Sequence, residues 1–116
     1  MSKHLHGGDL KREARVLRAL ASESRLRIIR RLAGGECCVC DLVALIDADQ
    51  STVSKHLAIL RDNGIVEGDR RGQHVYYRLL TPCVLSFLSC ATAVLEERRA
   101  SLNPETETKA PEGEIS

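Results

Sequence analysis

The sequence predicts a mainly α-helical domain that carries one small β-hairpin. Three observations predict it. Apolar residues recur at helical spacing in several separate stretches between Leu10 and Ala100. A polar, Gly-bearing turn, Arg71-Gly72-Gln73, separates two short runs of β-branched and aromatic residues. Hydrophobic content is 43%, yet there is one Phe, two Tyr and no Trp. The core must therefore be built on Leu, Ile, Val and Ala, which suits packed helices better than a sandwich or barrel.

Each element follows in order. Met1–Gly8 is polar and expected to be disordered, with His4 and His6 solvated. Leu10–Ala21 spaces Ala14, Leu17, Leu20 and Ala21 as one helical face. Ser22 reads as an N-cap, with Glu23 favourable in the turn it opens. The helix Glu23–Ala33 turns Leu26, Ile29 and Leu32 inward with Ile28 beside them. Its arginines, Arg25, Arg27, Arg30 and Arg31, face outward or toward a polar boundary, and Gly34-Gly35 ends it. A short helix is expected over about Cys38–Ile46, with Leu42, Leu45 and Ile46 apolar, before a turn at Asp47-Ala48. Asp49 caps the next helix, Gln50–Asn63, where Val53, Leu57 and Leu60 share a face and Asn63-Gly64 is the stop. The hairpin runs from Ile65 to Leu79. Thr81 or Pro82 opens a last helix to about Ala100, with Val84, Leu88, Ala91 and Leu95 as its apolar stripe. The domain boundaries are thus 1–9 for a disordered N-terminus, 10–102 for the folded part and 103–116 for a disordered tail.

Size and charge narrow the function. A chain of 116 residues holds one small domain, and its modest buried share favours pairing with a second copy. Net charge is +1, but Asn103–Ser116 holds four Glu and one Lys, which leaves +4 on the rest. That balance permits nucleic-acid binding without demanding it. No apolar run approaches the ~20 residues of a membrane span, and the polar start is unlike a signal peptide. The five Cys are odd in number and two are adjacent, which fits reduced thiols better than a disulfide framework. A cytoplasmic protein with no membrane partner is expected. No phosphate loop, catalytic pocket motif or Cys-x-x-Cys spacing appears, so an enzyme is not expected.

The order helix, helix, short helix, helix, hairpin, helix is that of a winged helix-turn-helix, expected to act as a homodimer. In that arrangement Gln50–Asn63 enters the major groove of double-stranded DNA, with its first residues toward the bases. Gln50, Ser51, Thr52, Ser54, Lys55 and His56 are its exposed positions. Gln can bond adenine, Ser and Thr adapt to base edges or phosphate, and Lys grips phosphate or guanine. Arg70, Arg71, Gln73 and His74 at the hairpin tip suit the minor groove or the backbone. The last-helix stripe, together with the first helix, is the expected dimer face. A two-fold dimer reads a near-palindromic operator with half-sites ~34–36 Å apart.

Three thiols, Cys37, Cys38 and Cys40, stand within four residues and run directly into this DNA-reading pattern. Such a cluster suits a soft, thiol-loving ion rather than three buried apolar side chains. Ala19-Leu20-Ala21-Ser22-Glu23-Ser24-Arg25-Leu26-Arg27-Ile28, Cys38-Val39-Cys40-Asp41-Leu42, Ser51-Thr52-Val53-Ser54-Lys55-His56-Leu57-Ala58-Ile59-Leu60 and the stretch Gly72 to Arg78 together resemble the ArsR/SmtB family of metal-sensing repressors. The resemblance spans about Leu10 to Leu102, and the Cys-Val-Cys-Asp-Leu piece resembles the arsenic-responsive branch. It implies a homodimeric repressor of a detoxification operon, released from DNA when the inducer, As(III) or Sb(III), binds. No other cofactor is implied.

The resemblance also implies that Cys38 and Cys40 are inducer ligands. The family's usual third Cys falls where this chain has Val43, so the third ligand is open among Cys37, Cys83 and Cys90. Cys83 and Cys90 are seven residues apart on the last helix, ~10 Å along its axis, so they do not clasp one ion as neighbours. Residues spaced as Cys37, Cys38 and Cys40 do not share one helical face, so ion binding is expected to unwind the first turn of the short helix. Zinc is less well matched, since the last helix has no His. Cadmium, lead or bismuth sensing, and thiol-oxidation sensing by the same cysteines, are the alternatives.

Overall fold

A computed structural model describes residues 7–102. The expectations for residues 1–6 and 103–116 lie outside it. The described chain divides at Pro82–Cys83 into two units, each considered by itself below.

The first unit holds α1 (Gly7–Leu20), α2 (Glu23–Ala33), β1 (Cys37–Cys38), α3 (Val39–Ile46), α4 (Gln50–Asp62), β2 (Val66–Arg71) and β3 (His74–Leu79). The helices, hairpin and their order match the expected winged helix-turn-helix. α1 begins three residues before the Leu10 expected from periodicity.

Local chemistry sets most boundaries. Ser22 is extended (φ −158°) and its hydroxyl accepts the Arg25 N–H at 3.2 Å, which starts α2. Asp49 starts α4 in the same way, accepting the Thr52 N–H at 2.8 Å. α4 ends in a Schellman motif. Gly64 takes the left-handed region (φ 73°) and donates to the Arg61 carbonyl at 3.0 Å, while the Ile65 N–H reaches back to Leu60 at 2.9 Å. The hairpin closes over Gly72-Gln73 with Arg71 opposite His74. Gly72 has φ 65° while Gln73 stays at negative φ, the pattern of a type II′ turn whose twist suits paired strands.

One element was not expected. Cys37 and Cys38 form a third strand, antiparallel to β3, with Cys37 opposite Tyr77 and Cys38 opposite Tyr76. Cys38 is therefore not the first residue of the short helix. It is the extended N-cap of α3 (φ −88°, ψ 166°).

The core is aliphatic. Ile28, Ile29, Leu32, Leu42, Val53, Leu57, Leu60, Ile65 and Val66 are buried, with Ala19, Leu20 and Tyr77 at its edge. α2 turns Ile28 fully inward and leaves Leu26 half-buried, a rotation of the face expected from its spacing. Leu17 and Leu45, both on apolar helical spacing, are exposed at 52% and 41%. Burial of each large aliphatic side chain contributes about 1.5–3 kcal/mol.

The second unit is a single helix, α5 (Cys83–Leu102), 20 residues long and without a buried residue. Phe87, Val94 and Leu95 are exposed along it. Among the described residues no helix is long and apolar enough to cross a membrane.

Candidate nucleic-acid interface and thiol site

The N-terminal turns of α4 expose Gln50, Ser51, Thr52, Ser54 and Lys55, while Val53, Leu57 and Leu60 hold the opposite face in the core. α4 is thus a rigid rod with a polar outer face, the property a groove-reading helix needs. The Asp49 cap shapes that face. It receives the Ser51 hydroxyl at 3.3 Å as well as the Thr52 N–H, so Ser51 is partly committed to the cap. Hydrogen bonds from Thr52 hold the Asp49 carboxyl below the usual carboxylate range.

His56 sits differently from its neighbours. It is half-buried, and its Nδ1 lies 3.2 Å from Nη1 of Arg25 in α2. Burial first, and the Arg25 charge second, lower its pKa and favour the neutral ring. Arg25 also donates from Nε to the Ala19 carbonyl at 2.6 Å and from Nη2 to the Arg18 carbonyl at 3.3 Å. One guanidinium therefore ties the end of α1 and the start of α2 to the middle of α4. Sequence spacing gave no sign of this, because Arg25 and His56 are 31 residues apart.

At the hairpin tip Arg70, Gln73 and His74 are exposed. Arg71 is occupied. Its Nη1 and Nη2 lie 2.6 and 3.1 Å from the two carboxylate oxygens of Glu36, and its Nε donates to Asp69 at 3.0 Å. The guanidinium also lies 4.9 Å from the centre of the Tyr76 ring. The Arg71 hydrogen bond pulls the Glu36 carboxyl below its ordinary range, and Glu36, then Asp69, hold Arg71 more firmly protonated. Glu36 immediately precedes the thiols, so the wing tip is pinned to the thiol segment.

The thiols do not all converge. Cys38 and Cys40 are joined as a disulfide across a Cα–Cα distance of 5.4 Å. This corrects the expectation of a fully reduced set. Cys38 is extended and only Cys40 is helical, so these two sulfurs meet with α3 intact. The donor atoms of Cys38, Cys40 and Asp41 all lie within 4.8 Å of one another. Asp41 stands one residue beyond Cys40, and that place in the sequence is a usable signal for it. Cys37 is outside the cluster. It is buried in β1 as a free thiol, and desolvation by burial raises its pKa. Cys83 and Cys90 are free, exposed thiols on α5.

Residues 22–68, from the α2 cap into the first strand of the wing, match the bacterial regulatory protein arsR family. The chain is 43% identical over 65 residues to the arsenical resistance operon repressor of Escherichia coli (strain K12), an overlap of 55% of this chain and 56% of that protein. It spans only about half the length of the curated relatives it matches. Two solved structures share the fold more fully. The homodimeric winged helix-turn-helix DNA-binding domain Mb0332 from Mycobacterium bovis is 33% identical, with a TM-score of 0.67 over 79% of this chain and 85% of that one. The AntR antimony-specific transcriptional repressor is 32% identical, with a TM-score of 0.66 over 80% of this chain and 85% of that one. With its capped α2, its polar-faced α4 and its hairpin in the family's order, this chain belongs to the ArsR family of bacterial regulatory proteins.

Proposed function

We propose that this chain is a transcriptional repressor. It binds a near-palindromic operator as a homodimer and lets go when trivalent arsenic or antimony is held by the thiolates of Cys38 and Cys40. One observation carries the reading. The Cys38–Cys40 pair sits where β1 becomes α3, and both of those elements touch the DNA-binding parts. β1 is hydrogen-bonded to wing strand β3, and α3 packs on α4. An ion that reorients the two sulfurs strains both routes at once.

DNA contact is assigned to Gln50, Ser51, Thr52, Ser54, Lys55 and His56 of α4 and to Arg70, Gln73 and His74 of the wing. Arg71 supports the wing and reaches DNA only by leaving Glu36. The exposed apolar residues of α5 supply the dimer face, and Leu10 and Leu17 of α1 are apolar and exposed as well. The third sulfur for the ion comes from Cys37, Cys83 or Cys90. Arsenic X-ray absorption on the reduced protein and on the single Cys→Ser variants identifies it: sulfur coordination falls from three to two in the decisive variant. A metalloid inducer fits the likeness to AntR and to the Escherichia coli repressor, and a cadmium inducer fits the comparable likeness to the cadmium resistance regulatory protein CadC homolog of Staphylococcus aureus; titration of the reduced protein with each ion separates them.

The test is operator affinity by fluorescence anisotropy as arsenite is added to reduced protein. Cys38→Ser and Cys40→Ser should bind the operator like the parent protein and lose the arsenite response. A response that survives in both variants refutes the assignment. The disulfide favours a second reading, in which oxidation of Cys38 and Cys40 is itself the signal. Weakened operator binding on oxidation, with no response to arsenite in the reduced state, would select that reading.

A further inference from the structure

Arg25 is not in the outer face of α4, and its side chain is committed within the fold. Its Nε and Nη2 take carbonyls in the last turn of α1, and Nη1 meets His56 Nδ1. A guanidinium has five N–H donors and no acceptor. Nδ1 must therefore offer its lone pair to Arg25, and the single proton of the ring sits on Nε2. Protonating Nδ1 as well would set one N–H against another beside a fixed positive charge. Among the described residues Nε2 has no hydrogen-bond partner. Thr81 Oγ1 is the one buried, unpartnered side-chain polar atom among the described residues, so Nε2 is not sealed from solvent. His56 lies one turn beyond Thr52 on the same side of α4, behind the residues that approach the bases.

We propose that Arg25 is a positioning residue for DNA binding, which fixes His56 as a neutral Nε2–H donor to an oxygen of the DNA phosphate backbone. The inference rests on α4 being the DNA-reading helix, and it adds a role for a residue of α2. A neutral donor contributes orientation and a hydrogen bond without displacing a counterion. It strengthens binding to all sequences alike and leaves the salt dependence untouched. The charged contacts of Lys55 and Arg70 behave oppositely, since each should add ~0.9 to the salt slope.

The experiment uses the full chain and an operator duplex. Nitrogen-15 NMR of the imidazole at neutral pH should show His56 with Nδ1 bare and Nε2 protonated. Arg25→Met should lose that single tautomer and weaken DNA binding. His56→Asn, which cannot place a donor where Nε2 lies, should lose affinity roughly tenfold or more, the scale of a hydrogen bond to a charged group. His56→Gln, whose amide N–H reaches that place, should recover most of the loss. Both variants should keep the parent slope of log affinity against log salt. A proton on Nδ1 in the parent protein, a slope reduced by about one in His56→Asn, or no difference between Asn and Gln would each overturn the proposal. Should Arg25→Met fail to fold, the parent spectrum and the His56 pair still decide it. Absence of any DNA binding by the folded parent would instead overturn the reading of α4, while the tautomer is still read directly.

Discussion

Single residues set the geometry of both sites, and Asp49 shows how. Its carboxylate closes the first turn of α4 by accepting the Thr52 N–H at 2.8 Å. The same carboxylate stands among the residues assigned to the bases, where its negative charge is unwelcome to DNA. Capping is the reason to keep it there. Asp49→Ala should lower unfolding stability by about 0.5–2 kcal/mol in chemical denaturation, and Asp49→Ser should restore most of it. An unchanged midpoint in the Ala variant would show that the cap is idle. The cap roles of Ser22 and Asp49 were legible in the sequence because capping is local and chemically distinctive. The Arg25 clamp was not, since nothing local distinguishes Arg25 from Arg27 or Arg30. The parting of Cys37 from Cys38 and Cys40 was also hidden. It follows from the strand at Cys37–Cys38, along which successive side chains point to opposite faces of the sheet.

Among the elements, β1 matters out of proportion to its two residues. It places Cys38, one sulfur of the pair, on a strand of the wing sheet, so a ligand has a route to the wing besides the α3–α4 contact. The ion pair of Glu36 with Arg71 reinforces that route at the far end of the hairpin. Both side chains are partly exposed, so solvent screens the pair and it adds little to stability. Its expected value lies in coupling. Glu36→Gln should leave As(III) binding intact and reduce the ratio of free to As(III)-loaded operator affinity by about 2–5-fold. Asp69→Asn, which cuts a contact internal to the wing, should leave that ratio alone. Equal ratios in the parent protein and Glu36→Gln would mean that the wing takes no part in the response. The helices were readable from their apolar period and their caps, and α2 came out with the expected limits because it has a signal at each end. A strand of two residues has no period to read. It exists because β3 offers it an edge.

At the scale of the whole molecule, periodicity identifies an apolar face without saying what covers it. Leu17 and Leu45 have core spacing and are exposed in the single chain. α5 carries the apolar residues Val84, Leu88, Ala91 and Leu95 at helical spacing and has no buried residue. Assigning these faces to a second copy accounts for them together and suits the two-fold symmetry of an operator. Leu95→Glu should therefore shift the protein toward monomer in sedimentation and weaken operator binding without melting the first unit. A dimer undisturbed by this change would place the interface elsewhere.

The central claim is that sulfur ligation at Cys38 and Cys40 is transmitted to the DNA-binding surface through the backbone they share with β1 and α3. The most direct measurement is the operator affinity of the reduced protein before and after saturation with As(III). The predicted result is a loss of about 5–150-fold, the range of a coupling of ~1–3 kcal/mol. The same affinity in both states, with As(III) demonstrably bound to sulfur, would contradict it.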